Sequence, residues 1–159
     1  MSRRAIAASI AVLASAASAS PRLELEVGGG LTAISQLAPT FTGRIGLELM
    51  GWFTPSVRVM SLTPLSARAM GWSVLAELRA HTPGRVQLTG GLALGVASAS
   101  FTARSGVVDA RVDQVAPYLW ADLGLRVILG PFWIGAAVGG APLDAQLMVL
   151  ANVGVAIGD

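Results

Sequence analysis

Cysteine is absent from this chain, so disulfides, thiolate nucleophiles and thiolate-bound metals are all excluded. Lysine is absent as well, and the eleven basic residues are all arginines. Histidine occurs once, at position 81, which leaves little material for a histidine-built metal site or a catalytic dyad. Charged residues amount to 13%, about half of the ~25% usual in soluble domains. Hydrophobic residues reach 53%, so much of the folded surface is expected to face something other than water.

The length of 159 residues fits one domain after a removable leader. Residues Met1 to Ala19, MSRRAIAASIAVLASAASA, combine a basic start, an apolar stretch from Ala5 to Leu13 and the small-residue end Ala17-Ser18-Ala19. This is the build of a signal peptide, cleaved after Ala19 or Ala16. Its apolar part is too short to cross a bilayer core of ~30 Å. The chain is therefore expected to be exported, with residues 20–159 as the folded domain. Without Arg3 and Arg4 the formal charge of +2 falls to zero. No basic patch is left to support nucleic-acid binding.

Past the leader, apolar residues recur at every second position, the period of a strand with two different faces. Leu23, Leu25 and Val27 alternate with Arg22, Glu24 and Glu26 before three glycines, which predict a break. Ile45, Leu47 and Leu49 alternate with Arg44, Gly46 and Glu48, and Trp72, Val74, Ala76 and Leu78 with Ser73, Leu75, Glu77 and Arg79. A poorly alternating segment, Val57 to Thr63, lies between those two. Further on, Leu119 to Leu129, Phe132 to Val138 and Leu147 to Ile157 repeat the pattern. Together with the segment described next, they predict eight strands.

That segment, RVQLTGGLALGVASASF from Arg85 to Phe101, is uncharged beyond its first residue and long enough for a membrane helix. A helix would carry Gly90, Gly91 and Gly95, each costing ~1 kcal/mol relative to alanine. As a strand it divides into a large apolar face (Val86, Leu88, Leu92, Leu94, Val96) and a small or polar one (Gln87, Thr89, Gly91, Ala93, Ala97). Val86 to Val96 matches the ~9 to 11 residues of a tilted membrane-crossing strand. The chain is expected to leave lipid near Ala97.

The second faces of these strands carry Glu24, Glu26, Arg44, Glu48, Glu77, Arg79, Asp122 and Arg126, separated by small residues and joined by Arg22 at the edge, with Arg58 a further candidate. Such a mixed set can pair inside a narrow barrel, where paired charges are tolerated and isolated ones are not. The apolar faces then point outward into lipid. Connection lengths point the same way. Gly51 to Pro55, His81 to Gly84 and Gly130-Pro131 are short, as inner turns should be. Gly28 to Thr42, Thr63 to Gly71 and Thr102 to Asp113 are longer, and only Gly140 to Asp144 is short at the outer end. Trp52, Phe53, Phe132 and Trp133 flank the short turns, with Phe41, Trp72, Phe101 and Tyr118 toward the other end, suggesting two interfacial girdles.

With the leader, eight alternating segments and short inner turns, the chain resembles the small eight-stranded outer-membrane barrels of Gram-negative bacteria, in the build of OmpX and the OmpA barrel. The resemblance covers Pro21 to Asp159 as a pattern rather than a motif. It implies an all-β, antiparallel, up-and-down transmembrane barrel, inserted by the outer-membrane assembly machinery and surrounded by outer-membrane lipid. Two departures stand out. Such barrels usually end on an aromatic assembly signal, whereas this chain ends Val155-Ala-Ile-Gly-Asp159, and Pro117 interrupts a ladder unless it lies above the bilayer.

No catalytic residues, cofactor or metal site are predicted. Ser73 and Glu77 share the strand face of His81 but lie about 26 and 13 Å along it at ~3.3 Å per residue, so His81 reads as a turn residue at an interface. Glu24 and Glu26 are expected to pair with Arg44 rather than to hold calcium. Gly28-Gly-Gly30 and Gly90-Gly91 lack the helix and lysine of a phosphate loop. The resulting expectation is a monomeric, non-enzymatic structural or surface-interaction protein with a packed lumen. The main alternative, an exported soluble barrel resembling lipocalins, needs the opposite orientation, with Leu and Val inside and Arg and Glu outside.

Overall fold

The computed structural model describes residues 20–33, 37–62, 69–105, 108–142 and 146–158. The expected leader lies outside the described residues. The chain runs through eight strands: β1 (Arg22–Ala33), β2 (Leu37–Glu48), β3 (Phe53–Leu62), β4 (Ala69–His81), β5 (Val86–Ser105), β6 (Val108–Leu129), β7 (Phe132–Gly140) and β8 (Leu147–Ile157). Each pairs antiparallel with its sequence neighbours, and β1 pairs with β8 to close the barrel. Closure pairs the strands on both sides within the wall and leaves no open margin there, which a lipid-embedded sheet requires.

The alternation fixes which side faces out. Leu123 is 74% exposed and Leu94 62%, while Trp120, Arg58 and Leu75 are fully buried. Leucine and valine therefore coat the outside, and arginine, glutamate and small residues fill the lumen. This orientation is opposite to that of a soluble ligand-binding barrel. The fold is an all-β, eight-stranded antiparallel barrel of the transmembrane type, and no helix among the described residues is long and apolar enough to cross a membrane.

At one end three short turns join β2 to β3, β4 to β5 and β6 to β7. Each uses a glycine with positive φ (Gly51 at 69°, Gly84 at 111° and Gly130 at 71°), a conformation that a side chain disfavours. The β4–β5 turn is tied by Thr82, whose N–H donates to the Leu88 carbonyl and whose hydroxyl accepts the Leu88 N–H, both at 2.9 Å. Arg22 at the start of β1 and Ile157 at the end of β8 lie at this same end.

Several expected boundaries are corrected. Gly28, Gly29 and Gly30 do not break the first strand, because β1 continues to Ala33. A Cβ at Gly28 would overlap the Asn152 side chain, and one at Gly30 the Val149 carbonyl, so these glycines let β1 and β8 approach closely. Pro55 belongs to β3 rather than to the preceding turn. The outer connections around Gly28–Thr42 and Thr102–Asp113 are not long loops: only residues 34–36 and 106–107 separate the flanking strands.

The predicted exit near Ala97 is likewise not the end of β5. Pairing between β5 and β6 persists as far as Ser105 and Val108. By contrast, β4 pairs with β5 only up to Ala69–Phe101, and β7 with β6 only from Ala121–Gly140. The two strands continue as a free-standing hairpin, held by each other once the wall has ended. Pro117 sits in this region, paired with Val96 on one side and lying beyond the reach of β7 on the other, so its missing N–H breaks no closed ladder.

The aromatic girdles are only partly as expected. Phe41, Trp72 and Phe132 are exposed on the outer face, but Trp133 and Tyr118 are buried in the lumen. Alternation explains this, because Trp133 follows the outward-facing Phe132 and Tyr118 precedes the outward-facing side of β6. The side chain of Phe101 lies outside the described residues.

Candidate functional site

The lumen has two storeys. Toward the end with the longer hairpin, Met60, Leu75, Ala93, Tyr118, Met148 and Leu150 form an apolar plug around Trp120. Toward the short turns the interior is charged. Five carboxylates, from Glu24, Glu26, Glu48, Glu77 and Asp122, are buried there beside four guanidinium groups, from Arg44, Arg58, Arg79 and Arg126.

The middle of this charged storey centres on Arg58 and Glu77. Arg58 Nε donates to Glu77 Oε2 at 3.2 Å and Nη2 to Oε1 at 3.0 Å, a two-pronged pairing that fixes both planes. Arg58 Nη1 lies 3.2 Å from Asp122 Oδ2. From the other side Arg79 Nη2 donates to Asp122 Oδ1 at 2.7 Å and to Glu77 Oε1 at 3.1 Å. The Trp120 indole N–H donates to Asp122 Oδ2 at 3.1 Å, and the Ser56 hydroxyl to Glu77 Oε2 at 3.1 Å. Removing both charges from water is expensive, and multiple hydrogen bonds of this kind are what make such burial tolerable.

Nearer the short turns, Arg44 on β2 holds two acids of β1, with Nε donating to Glu26 Oε2 at 2.7 Å and Nη2 to Glu24 Oε2 at 3.2 Å. Arg126 Nη1 donates to Glu24 Oε1 at 2.8 Å and Nε to Gln87 Oε1 at 2.6 Å, while its guanidinium lies over the Trp133 ring, 5.3 Å from the centroid. Beside them is a cavity of about 120 Å³ lined by Glu24, Glu48, His81, Gln87, Arg126 and the short-turn residues Gly84 and Gly130.

All eight charged residues singled out in the sequence are buried in the lumen. Seven of them are joined by the hydrogen bonds just described; Glu48 stands apart, in the cavity, with His81 Nε2 3.8 Å from its Oε1. His81 is corrected from a turn residue to the last residue of β4, with its side chain buried inside the barrel. Arg58, which the sequence places only at the margin of this set together with Arg22, stands at the centre of the network. Its signal was the parity of Val57 and Val59, which face out and so send Arg58 inward.

No protein-family model matches the sequence, and no curated protein matches it by sequence comparison. Solved structures do. Neisserial surface protein A (NspA) superposes with a TM-score of 0.62 at 13% identity, covering 86% of this chain and 96% of that one. The N-terminal β-barrel domain of Pseudomonas aeruginosa OprF gives 0.59 at 16% identity over 84% and 97%. Ail, the attachment invasion locus protein of Yersinia pestis, gives 0.55 at 15% identity over 86% and 96%. The chain therefore has the fold of the small eight-stranded outer-membrane β-barrels of Gram-negative bacteria.

Proposed function

We propose that this protein is an outer-membrane barrel of structural or surface-interaction character, with a packed lumen that does not conduct. The observation that carries this reading is the inversion of faces, with leucine and valine outside a closed wall and paired arginine and glutamate inside it. An apolar coat of this extent is stable only in lipid. The short-turn end, which also holds both ends of the barrel chain, faces the periplasm, and the β5–β6 hairpin stands outside the cell. Residues 1–19 act as the export signal, and the barrel is inserted by the outer-membrane assembly machinery and works as a monomer.

The eight luminal charges named in the sequence act structurally. They replace the water that a lumen of this width would otherwise hold, and the apolar plug above them closes the passage. The protein is not an enzyme in this reading, and no catalytic pairing is formed by His81. The surface role rests on the hairpin, the element that extends farthest past the wall.

Membrane extraction followed by electrophoresis of boiled and unboiled samples tests the barrel, and planar-bilayer recording tests the lumen. A protein requiring detergent, migrating differently before and after boiling and adding no steady conductance, is the expected result. Solubility of the processed chain without detergent would overturn the location, and stable ohmic steps would overturn the closed lumen.

A further inference from the structure

The charged storey holds five buried carboxylates against four buried arginines, and a further arginine, Arg22, lies half-buried at its margin, where it lines the same cavity as Glu48. Arg44, Arg58, Arg79 and Arg126 each lie within 3.2 Å of a carboxylate among Glu24, Glu26, Glu77 and Asp122. Glu48 has no such guanidinium partner among the described contacts. What it faces is His81, whose side chain is 1% exposed and whose Nε2 is buried without a hydrogen-bond partner. A buried ring nitrogen left unpaired beside a carboxylate costs free energy unless something fills the gap.

We propose that Glu24, Glu48 and His81 form a binding site for a divalent transition-metal ion of the zinc class at the short-turn mouth of the lumen. One donor atom from each of the three side chains lies within 4.8 Å of the others. Bonds of ~2.1 Å in a tetrahedral shell place neighbouring donors roughly 3.4 Å apart, so the 3.8 Å between His81 Nε2 and Glu48 Oε1 closes with a small side-chain movement. The adjoining cavity of about 120 Å³ has room for the ion and a few waters, at ~30 Å³ each, to complete the shell.

The donor set selects the metal. An imidazole with two carboxylates suits zinc, whereas calcium and magnesium take oxygen ligands alone. Arg126 already holds Glu24 Oε1 at 2.8 Å and so orients that ligand from outside the shell. The three ligands come from β1, β2 and β4, so an ion here ties together strands that are not all neighbours in the wall. The inference depends on the geometry of the lumen and not on the surface role proposed above.

A single histidine makes the test direct. The refolded protein in detergent micelles, labelled with ¹⁵N, is titrated with zinc chloride while the imidazole resonances of His81 are followed. One equivalent of zinc is expected to displace them, a tenfold excess of calcium to leave them unmoved, and cobalt(II) to give a visible ligand-field band. Glu48→Gln and His81→Gln are each expected to weaken binding at least tenfold. Resonances that stay fixed under excess zinc overturn the proposal, as does zinc binding that survives in both variants. Should either variant fail to show the unboiled gel shift of a folded barrel, the titration of the unaltered protein decides alone.

Discussion

Arg79 and Asp122 lie two strands apart in the wall yet touch, with Arg79 Nη2 2.7 Å from Asp122 Oδ1. The residue between them is Gly91 on β5, which pairs with Arg79 on one side and Asp122 on the other. The missing side chain is the gap through which they meet. A Cβ at Gly91 would stand 2.6 Å from Glu77 Oε1, 3.2 Å from Asp122 Oδ1 and 3.4 Å from Arg79 Nη2.

Gly91→Ala is therefore expected to displace the Glu77 carboxylate and to cost on the order of 1–3 kcal/mol, the usual range for overpacking. Gly91→Leu is expected to prevent formation of the compact barrel. Urea unfolding in micelles, read by tryptophan fluorescence, checks the first, and loss of the unboiled gel shift checks the second. A neutral Gly91→Leu would remove the close contact as the reason for glycine here.

Arg58, like Arg79, is shared by Glu77 and Asp122, and it is fully buried. Arg58→Met leaves buried carboxylate charge uncompensated, with an expected loss of about 3–5 kcal/mol. Adding Glu77→Gln to it removes one of those charges and is expected to recover a large part of the loss. Additive losses in the double variant would show that the two residues do not act as a pair.

The outer face makes a depth-dependent prediction. Leu92 lies near the middle of the lipid-crossing part of β5 and Val86 at its short-turn end, both exposed outward. Leu92→Arg is expected to cost about 2–4 kcal/mol and Val86→Arg about 0–1 kcal/mol, following the polarity profile of a bilayer. Refolding into phosphatidylcholine vesicles with denaturant titration measures both. Equal small costs would mean that this face meets water.

The hairpin beyond the wall is expected to be dispensable for folding. Replacing residues 102–111 by Asn-Gly joins β5 to β6 at the Phe101–Val112 pair with a two-residue turn. The shortened protein should keep its unboiled gel shift and its unfolding midpoint within ~0.5 kcal/mol. A collapse in stability would mean that the hairpin nucleates or braces the barrel.

Much of this fold was legible because a period of two leaves little freedom once one face is apolar. The last strand, Leu147–Ile157, was read at its observed bounds. Boundaries failed where glycine did two jobs. Gly51, Gly84 and Gly130 mark turns by their positive φ, whereas Gly28 and Gly30 permit close strand packing, and composition alone does not separate the two. Parity put His81 on the right face, with Ser73 and Glu77, and only its assignment to the turn failed. The same rule sends Trp133 into the lumen. The meeting of Glu24, Glu48 and His81 was not legible, because it depends on the stagger of strands around a closed wall, which no local pattern encodes.

Closing the wall removes every strand edge within it, but the β5–β6 extension creates edges again beyond the wall. Residues Gln114 to Ala116 of β6 pair with Ala97 to Ala99 of β5 and with no residue described in β7. Their other margin offers backbone groups on which an extended segment of another chain can add as a further strand. The same main-chain chemistry that is sealed off within the wall is thus presented beyond it, on a ribbon two strands wide.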